Sequence, residues 1–155
     1  RCLVSPITIP NAICFAPDGG VVYFTDTAQG IIWQQPLHKL DGWPAGDATV
    51  FIDCTKESLF PDGAVTDREG NLWNAQWGSS RIACYNASGE FQKAIHFPAE
   101  QISCPAFGGP GLTTLFATSA TENLSQSALK QKAHAGKTLQ AENVGVGCAE
   151  HQIRL

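Results

Sequence analysis

The sequence predicts an all-β chain built from repeated four-stranded units, and three observations lead there. The 155 residues include fifteen glycines and nine prolines. These fall between short apolar runs, which is the punctuation of strands and turns rather than of helices. The runs themselves are rich in β-branched and aromatic residues, such as Val21-Val22-Tyr23-Phe24 and Ile31-Ile32-Trp33, which suit a pleated surface. Finally, a polar residue followed by a short strand, a Gly-containing turn and a second strand recurs from Asn11, Asp62 and Ser103, spaced 51 and 41 residues apart. Four strands in about 40 to 50 residues is the repeat of a β-propeller blade.

Residues 1–9 read as the tail of a preceding blade. The first repeat, residues 11–53, holds strands at 11–16, 21–25, 30–34 and 49–53, with a Pro17-Asp18-Gly19-Gly20 turn and an outer loop at 36–47. The second, residues 62–97, holds strands at 64–67, 71–76, 81–85 and 91–97, turned at Glu69-Gly70, Gly78-Ser79-Ser80 and Ala87-Ser88-Gly89. The third, residues 103–155, opens with strands at 103–107 and 113–118. Residues 122–132 then interrupt it, the only stretch of helix-forming composition, with Asn123 or Ser125 as N-cap. Strands at 138–142 and 152–155 complete that repeat. Three blades do not close a ring, so the chain reads as the C-terminal portion of a longer propeller whose N-terminal half is its missing partner.

Composition removes several function classes. The net charge is −4 and no basic cluster exists, so there is no electrostatic footprint for nucleic acid. No apolar run approaches the roughly 20 residues that span a bilayer, and no signal peptide is visible; a membrane partner is not expected. The six cysteines are scattered without a C-x-x-C pair. Most lie in apolar runs as small core residues, which fits a reducing, cytoplasmic compartment. His38, His96, His134 and His151 do not fall at a metal-binding spacing. There is no G-x-S-x-G elbow and no phosphate-cradling Gly loop ahead of a helix.

In a propeller the first strand of each blade lines the channel, and the antiparallel second strand returns to the same face. Asn11, Asp62 and Ser103 thereby converge on one mouth, with Asp26-Thr27, Trp77-Gly78 and Ser119-Ala120-Thr121 around it and residues 122–132 leaving from its rim as a lid. Amide and carboxylate oxygens without convergent His or thiolate suit a hard divalent cation such as Ca²⁺, Mg²⁺ or Mn²⁺. Asn11 and Asp62 are the candidate metal residues; Trp77, Ser103 and Ser119 are candidate substrate-rim residues. Asp18 and Asp67, beside Gly-containing turns, read as solvated hairpin residues. Trp33 and Trp73 read as packing between blades, and His96 as a surface residue.

Pro10-Asn11-Ala12-Ile13-Cys14-Phe15-Ala16-Pro17-Asp18-Gly19 and Val22-Tyr23-Phe24-Thr25-Asp26-Thr27 resemble the family of gluconolactonases and senescence marker protein-30 (regucalcin). Pro61-Asp62-Gly63-Ala64, Asp67-Arg68-Glu69-Gly70-Asn71-Leu72-Trp73, Trp77-Gly78, Cys104-Pro105-Ala106-Phe107-Gly108-Gly109 and Gly145-Val146-Gly147 continue the likeness in order along nearly the whole chain. The resemblance implies a six-bladed propeller that binds one divalent cation (Ca²⁺, Zn²⁺, Mg²⁺ or Mn²⁺) and hydrolyses a sugar lactone to the sugar acid. By that likeness Asn11 and Asp62 match metal ligands, and Asp62 also matches the catalytic residue that orients or activates water. The family's third protein ligand, a Glu from the early blades, has no counterpart here. The alternatives are an arylesterase or organophosphate hydrolase on a related propeller, and a non-catalytic calcium-binding propeller.

Overall fold

The computed structural model describes residues 2–149. Their strands form three antiparallel sheets, each in simple sequence order. The first holds β1 (Pro10–Phe15), β2 (Val21–Asp26), β3 (Ile31–Pro36) and β4 (Thr49–Asp53). The second holds β5 (Phe60–Thr66), β6 (Leu72–Trp77), β7 (Arg81–Tyr85) and β8 (Phe91–His96). The third has three strands among the described residues: β9 (Ile102–Gly108), β10 (Thr114–Ser119) and β11 (Thr138–Glu142). The expected last strand at residues 152–155, and His151, lie outside the described residues.

Period-2 alternation explains how the sheets stack. On the middle sheet Leu72, Ala83 and Tyr85 face the first sheet and close a core with Tyr23, Ile32, Ile52 and Cys54. Their neighbours Trp73, Ala75, Ile82 and Cys84 face the other way, onto Ile102, Leu115, Ala117, Phe97 and Ala99. Successive side chains on a strand point to opposite faces, so β6 and β7 are buried on both, as an internal blade must be. Full burial of each large apolar side chain stabilises by roughly 1.5–3 kcal/mol. Trp73 meets Phe107 edge-on, with ring centroids 5.5 Å apart.

The innermost strands β1, β5 and β9 lie side by side. The Thr66 hydroxyl donates to the Phe15 carbonyl at 2.7 Å, tying β5 to β1. On the other side β9 approaches so closely that a Cβ on Gly63 would stand 2.7 Å from Cys104 Sγ and 2.8 Å from the Ser103 carbonyl oxygen. Only glycine permits that approach.

Three expectations need correction, on Asp67, the helix and the cysteines. Asp67 is not solvated: it is 3% exposed. It accepts hydrogen bonds from the Glu69 and Asn71 backbone N–H, the Asn71 side-chain amide and the Trp73 indole N–H. Residues 145–147 fold over this hairpin, where Arg68 N–H donates to the Val146 carbonyl and Asp67 pairs with Gly147. Trp33, with Phe24, shares a cavity with Val4, Pro6 and Ile7 of the segment read as the tail of a preceding blade. The helix α1 (Gln126–Gln131) is shorter than residues 122–132, and Ser125 is the cap, accepting from Ala128 N–H. None of the six cysteines is in a disulfide, but only Cys54 and Cys84 are buried, while Cys2 and Cys104 are exposed. Among the described residues no helix is long and apolar enough to cross a membrane.

Candidate functional site

The site is built on backbone irregularities at the opening of the inner strands. In β1 the pairing with β2 passes from Asn11 to Cys14 across Ala12-Ile13. In β5 the pairing with β6 passes from Pro61 to Ala64 across Asp62-Gly63. In β9 the pairing with β10 skips Ser103. Each is a β-bulge, which leaves an extra residue unpaired and re-aims its neighbours' side chains. Ala12 adopts φ +53° there, a conformation costing an L-residue about 1 kcal/mol, and it is held in place by burial at 1% exposure.

Asn11 and Asp62 are brought to one cavity of about 540 Å³. Two hydrogen bonds link them through the backbone. The Asn11 side-chain amide donates to Thr27 Oγ1 at 2.9 Å, and Thr27 Oγ1 donates to the Pro61 carbonyl at 2.7 Å. Thr27 itself is set by a 3₁₀ turn, Thr27–Gln29, capped by the Asp26 side chain. The same Asp26 carboxylate accepts from Thr8 and Ile9 N–H and is held below the usual carboxylate range mainly by those donors. It thereby places Ile9 on the cavity wall.

Asp62 has the opposite electrostatics. Partial burial pushes its carboxyl up to about 6, and only the Gly63 backbone N–H opposes this. The backbone beneath it is clamped from β6: the Asn74 amide, fully buried, donates to both the Asp62 and the Gly63 carbonyls, at 3.2 and 3.1 Å.

Trp77 also lines the cavity, facing it together with Phe60 and Ile9 as the apolar side. Gln101, Glu122 and Asn123 form the polar side. The rim is held by Gln101, whose side-chain amide donates to the Glu122 carbonyl at 2.9 Å. Beyond it the Lys132–Glu100 ion pair fastens the C-terminal end of α1. Ser103 and Ser119 are not among the lining residues. The Ser103 hydroxyl is engaged with Thr118 Oγ1, and the Ser119 hydroxyl donates to the His134 and Lys137 carbonyls. Both serve the third blade's internal structure.

Sequence reasoning missed Ile9, Phe60 and Gln101 as lining residues, and a signal existed for one of them. Phe60 stands two positions before Asp62 on β5, and residues two apart on a strand share a face; Ile9 and Gln101 precede β1 and β9, where alternation gives no signal.

The donor set fits a hard cation in part. The Asn11 nitrogen is committed to Thr27, which leaves its carbonyl oxygen as the free end; Asp62 adds a carboxylate. Oxygen donors of this kind hold Ca²⁺ or Mg²⁺. Among the described residues no group of three or more His, Cys, Asp and Glu comes together, so these two side chains alone fall short of the about six to eight oxygens Ca²⁺ takes.

A family model described as SMP-30/Gluconolactonase/LRE-like region matches residues 1–121. A putative sugar lactone lactonase of Rhizobium meliloti is 41% identical over 138 residues, 89% of this chain and 47% of its own. L-arabinolactonase of Azospirillum brasilense is 36% identical over 152 residues, 96% of this chain and 48% of its own. The crystal structure of a calcium-binding protein, regucalcin, from Agrobacterium tumefaciens superposes with a TM-score of 0.90 at 40% identity, over 96% of this chain and 50% of that one. The chain spans about half the length of the curated relatives it matches.

Proposed function

The chain belongs to the SMP-30/gluconolactonase/LRE-like family, and from that membership we propose that the protein hydrolyses a sugar lactone to the sugar acid with the help of a divalent cation. The observation that carries this reading is the pair Asn11 and Asp62, on bulges of neighbouring strands, lining one cavity. The relatives named as sugar lactonases support the substrate class.

Asn11, through its carbonyl oxygen, and Asp62, through one carboxylate oxygen, are the residues that hold the cation. When bound, such an ion polarises a lactone carbonyl and offsets the charge that develops on its oxygen. The second Asp62 oxygen orients the attacking water and takes its proton. Without the cation, burial pushes this carboxyl up to about 6; a bound cation favours its ionised form, which leaves the second oxygen able to accept a hydrogen bond from water and take its proton. Water forms a bond to the carbonyl carbon, the ring C–O bond breaks, and the proton passes to the departing ring oxygen. Phe60, Trp77 and Ile9 give the carbon skeleton an apolar wall, while Gln101 and Asn123 face the ring hydroxyls.

The test is Asp62→Ala in the complete protein, assayed on a panel of aldonolactones with an aryl ester as comparison. Loss of lactone turnover, together with loss on chelation and recovery on adding back Ca²⁺ or Mn²⁺, is expected. Turnover that survives the substitution refutes the role of Asp62, and preference for the aryl ester refutes the substrate class.

A further inference from the structure

We infer that Asn74 is a positioning residue for Asp62, fixing the backbone of the bulge from which the carboxylate enters the cavity. The inference rests on the proposed cation-binding role of Asp62 for its meaning and on the geometry of β5 and β6 for its substance.

A bulge sets two residues of one strand against one residue of its partner, so carbonyls at that point lose their ladder donors. At β5 the two are Asp62 and Gly63, set against Ala75. The Asn74 side chain supplies what the ladder does not: its amide nitrogen donates to both the Asp62 and the Gly63 carbonyls. On the far side the backbone of Ser103-Cys104 presses against Gly63. The bulge is thus held between a side-chain clamp and a neighbouring strand, and Asp62 leaves it in one direction.

Asn74 makes these bonds at a cost. It is 0% exposed, and its Oδ1 is buried without a hydrogen-bond partner. A buried orphan acceptor is unfavourable, and turning the amide over would set that oxygen against two carbonyls. Packing alone gives no reason for an amide here, since Leu72 two positions before it and Ala83 opposite it, which share its face, are buried apolar residues. The third blade uses the same device in weaker form: Thr118, paired with Cys104 beside the bulge at Ser103, donates to the Cys104 carbonyl at 3.3 Å. A single hydroxyl donor beside such a bulge therefore has a precedent within the chain itself.

That precedent sets the experiment. Asn74→Thr keeps one donor, and Asn74→Val has the same shape without it. Mn²⁺ affinity is measured by calorimetry on the chain, and backbone hydrogen exchange over residues 60–66 is followed in chelator. The expected result is Mn²⁺ binding at least about tenfold weaker in Asn74→Val and within about threefold of wild type in Asn74→Thr, with metal-free melting temperatures alike in the two variants. Exchange at Gly63 and Ala64 accelerates in the Val variant alone. Equal affinity and equal exchange in the two variants overturn the inference. If wild type binds no Mn²⁺, the cation reading fails and exchange alone decides: acceleration confined to the bulge in Asn74→Val supports the clamp, and its absence overturns it.

Discussion

Replacing Asp62 with Asn isolates the electrostatic character of the cavity. In the metal-free chain burial raises the Asp62 carboxyl from the ordinary 3.8 to about 6. Between those two values the folded chain keeps a proton that the unfolded chain has released. Stability therefore falls as pH rises through this window, the reverse of what paired carboxylates do. The full displacement corresponds to up to about 3 kcal/mol, but Asp62 is only partly buried, and solvent screening reduces this to about 1 kcal/mol. Asn has nearly the same shape and no charge to desolvate. Urea unfolding of wild type and Asp62→Asn in chelator, from about pH 4.5 to about pH 7.5, should show the variant gaining on wild type by about 1 kcal/mol across the series. Carboxylates such as Asp26 and Asp53, whose values are lowered by hydrogen bonds, titrate in both proteins and cancel in the difference. Saturating Ca²⁺ should reverse the order, raising the melting temperature of wild type alone. A gap that stays flat with pH refutes the buried, uncompensated carboxylate, and a gap that widens toward acid refutes the sign.

Three further perturbations address the frame that holds the site. Gly63→Ala places a Cβ against Cys104 Sγ and the Ser103–Cys104 backbone at 2.7 to 2.9 Å; it should lower stability by about 2 kcal/mol in urea, and a neutral result would mean β9 does not press on the bulge. Trp73→Phe removes the indole N–H from the buried Asp67 carboxylate and should cost about 1.5–3 kcal/mol, with Mn²⁺ affinity unchanged because Asp67 does not line the Asn11–Asp62 cavity. Asp26→Asn weakens the acceptor of Thr8 and Ile9 N–H. Proteolysis within residues 2–9 should become faster at neutral pH, and the difference from wild type should vanish as pH falls below the ordinary carboxylate range, where wild-type Asp26 also loses its charge.

The fold was legible because its cause is local and repeated. Strand alternation, Gly turns and the polar residue opening each repeat can be read one residue at a time, and they place Asn11 and Asp62 without knowledge of any tertiary contact. What the sequence hid depends on distant segments. Asp67 sits in a turn that any local rule marks as solvated, yet residues 145–147 cover it and Trp73, six positions on, returns its indole to the carboxylate. Ser103 and Ser119 were placed at the mouth by register alone. Register says where a residue stands on the strand, not whether its hydroxyl is already taken by Thr118, His134 or Lys137. The bulges were equally hidden, because an extra residue in a strand of six or seven shifts the alternation by one step and leaves the apolar pattern readable either way.

Those bulges explain how one repeat supports different side-chain chemistry in each blade. All three inner strands break their ladder at the same place, so all three must satisfy backbone carbonyls beside the cavity. The second blade does so with the Asn74 amide and the third with the Thr118 hydroxyl. In the first blade the residue paired with Cys14 just past the bulge is Tyr23, which is committed to the core against Phe51, 4.7 Å between ring centroids. There the strand is steadied from outside, by Asn11 bonding to Thr27 and Thr27 to Pro61 of the next blade. The consequence is that Asn11 is oriented by the same segment that carries Asp62. A substitution of Thr27 by Val would break both bonds of this link while keeping its shape, so it should loosen Asn11 without touching Asp62's own clamp. Asn11's tether and Asp62's clamp thus meet on the one segment Pro61–Gly63, and a double-mutant cycle combining Thr27→Val with Asn74→Val should show them coupled in cation binding.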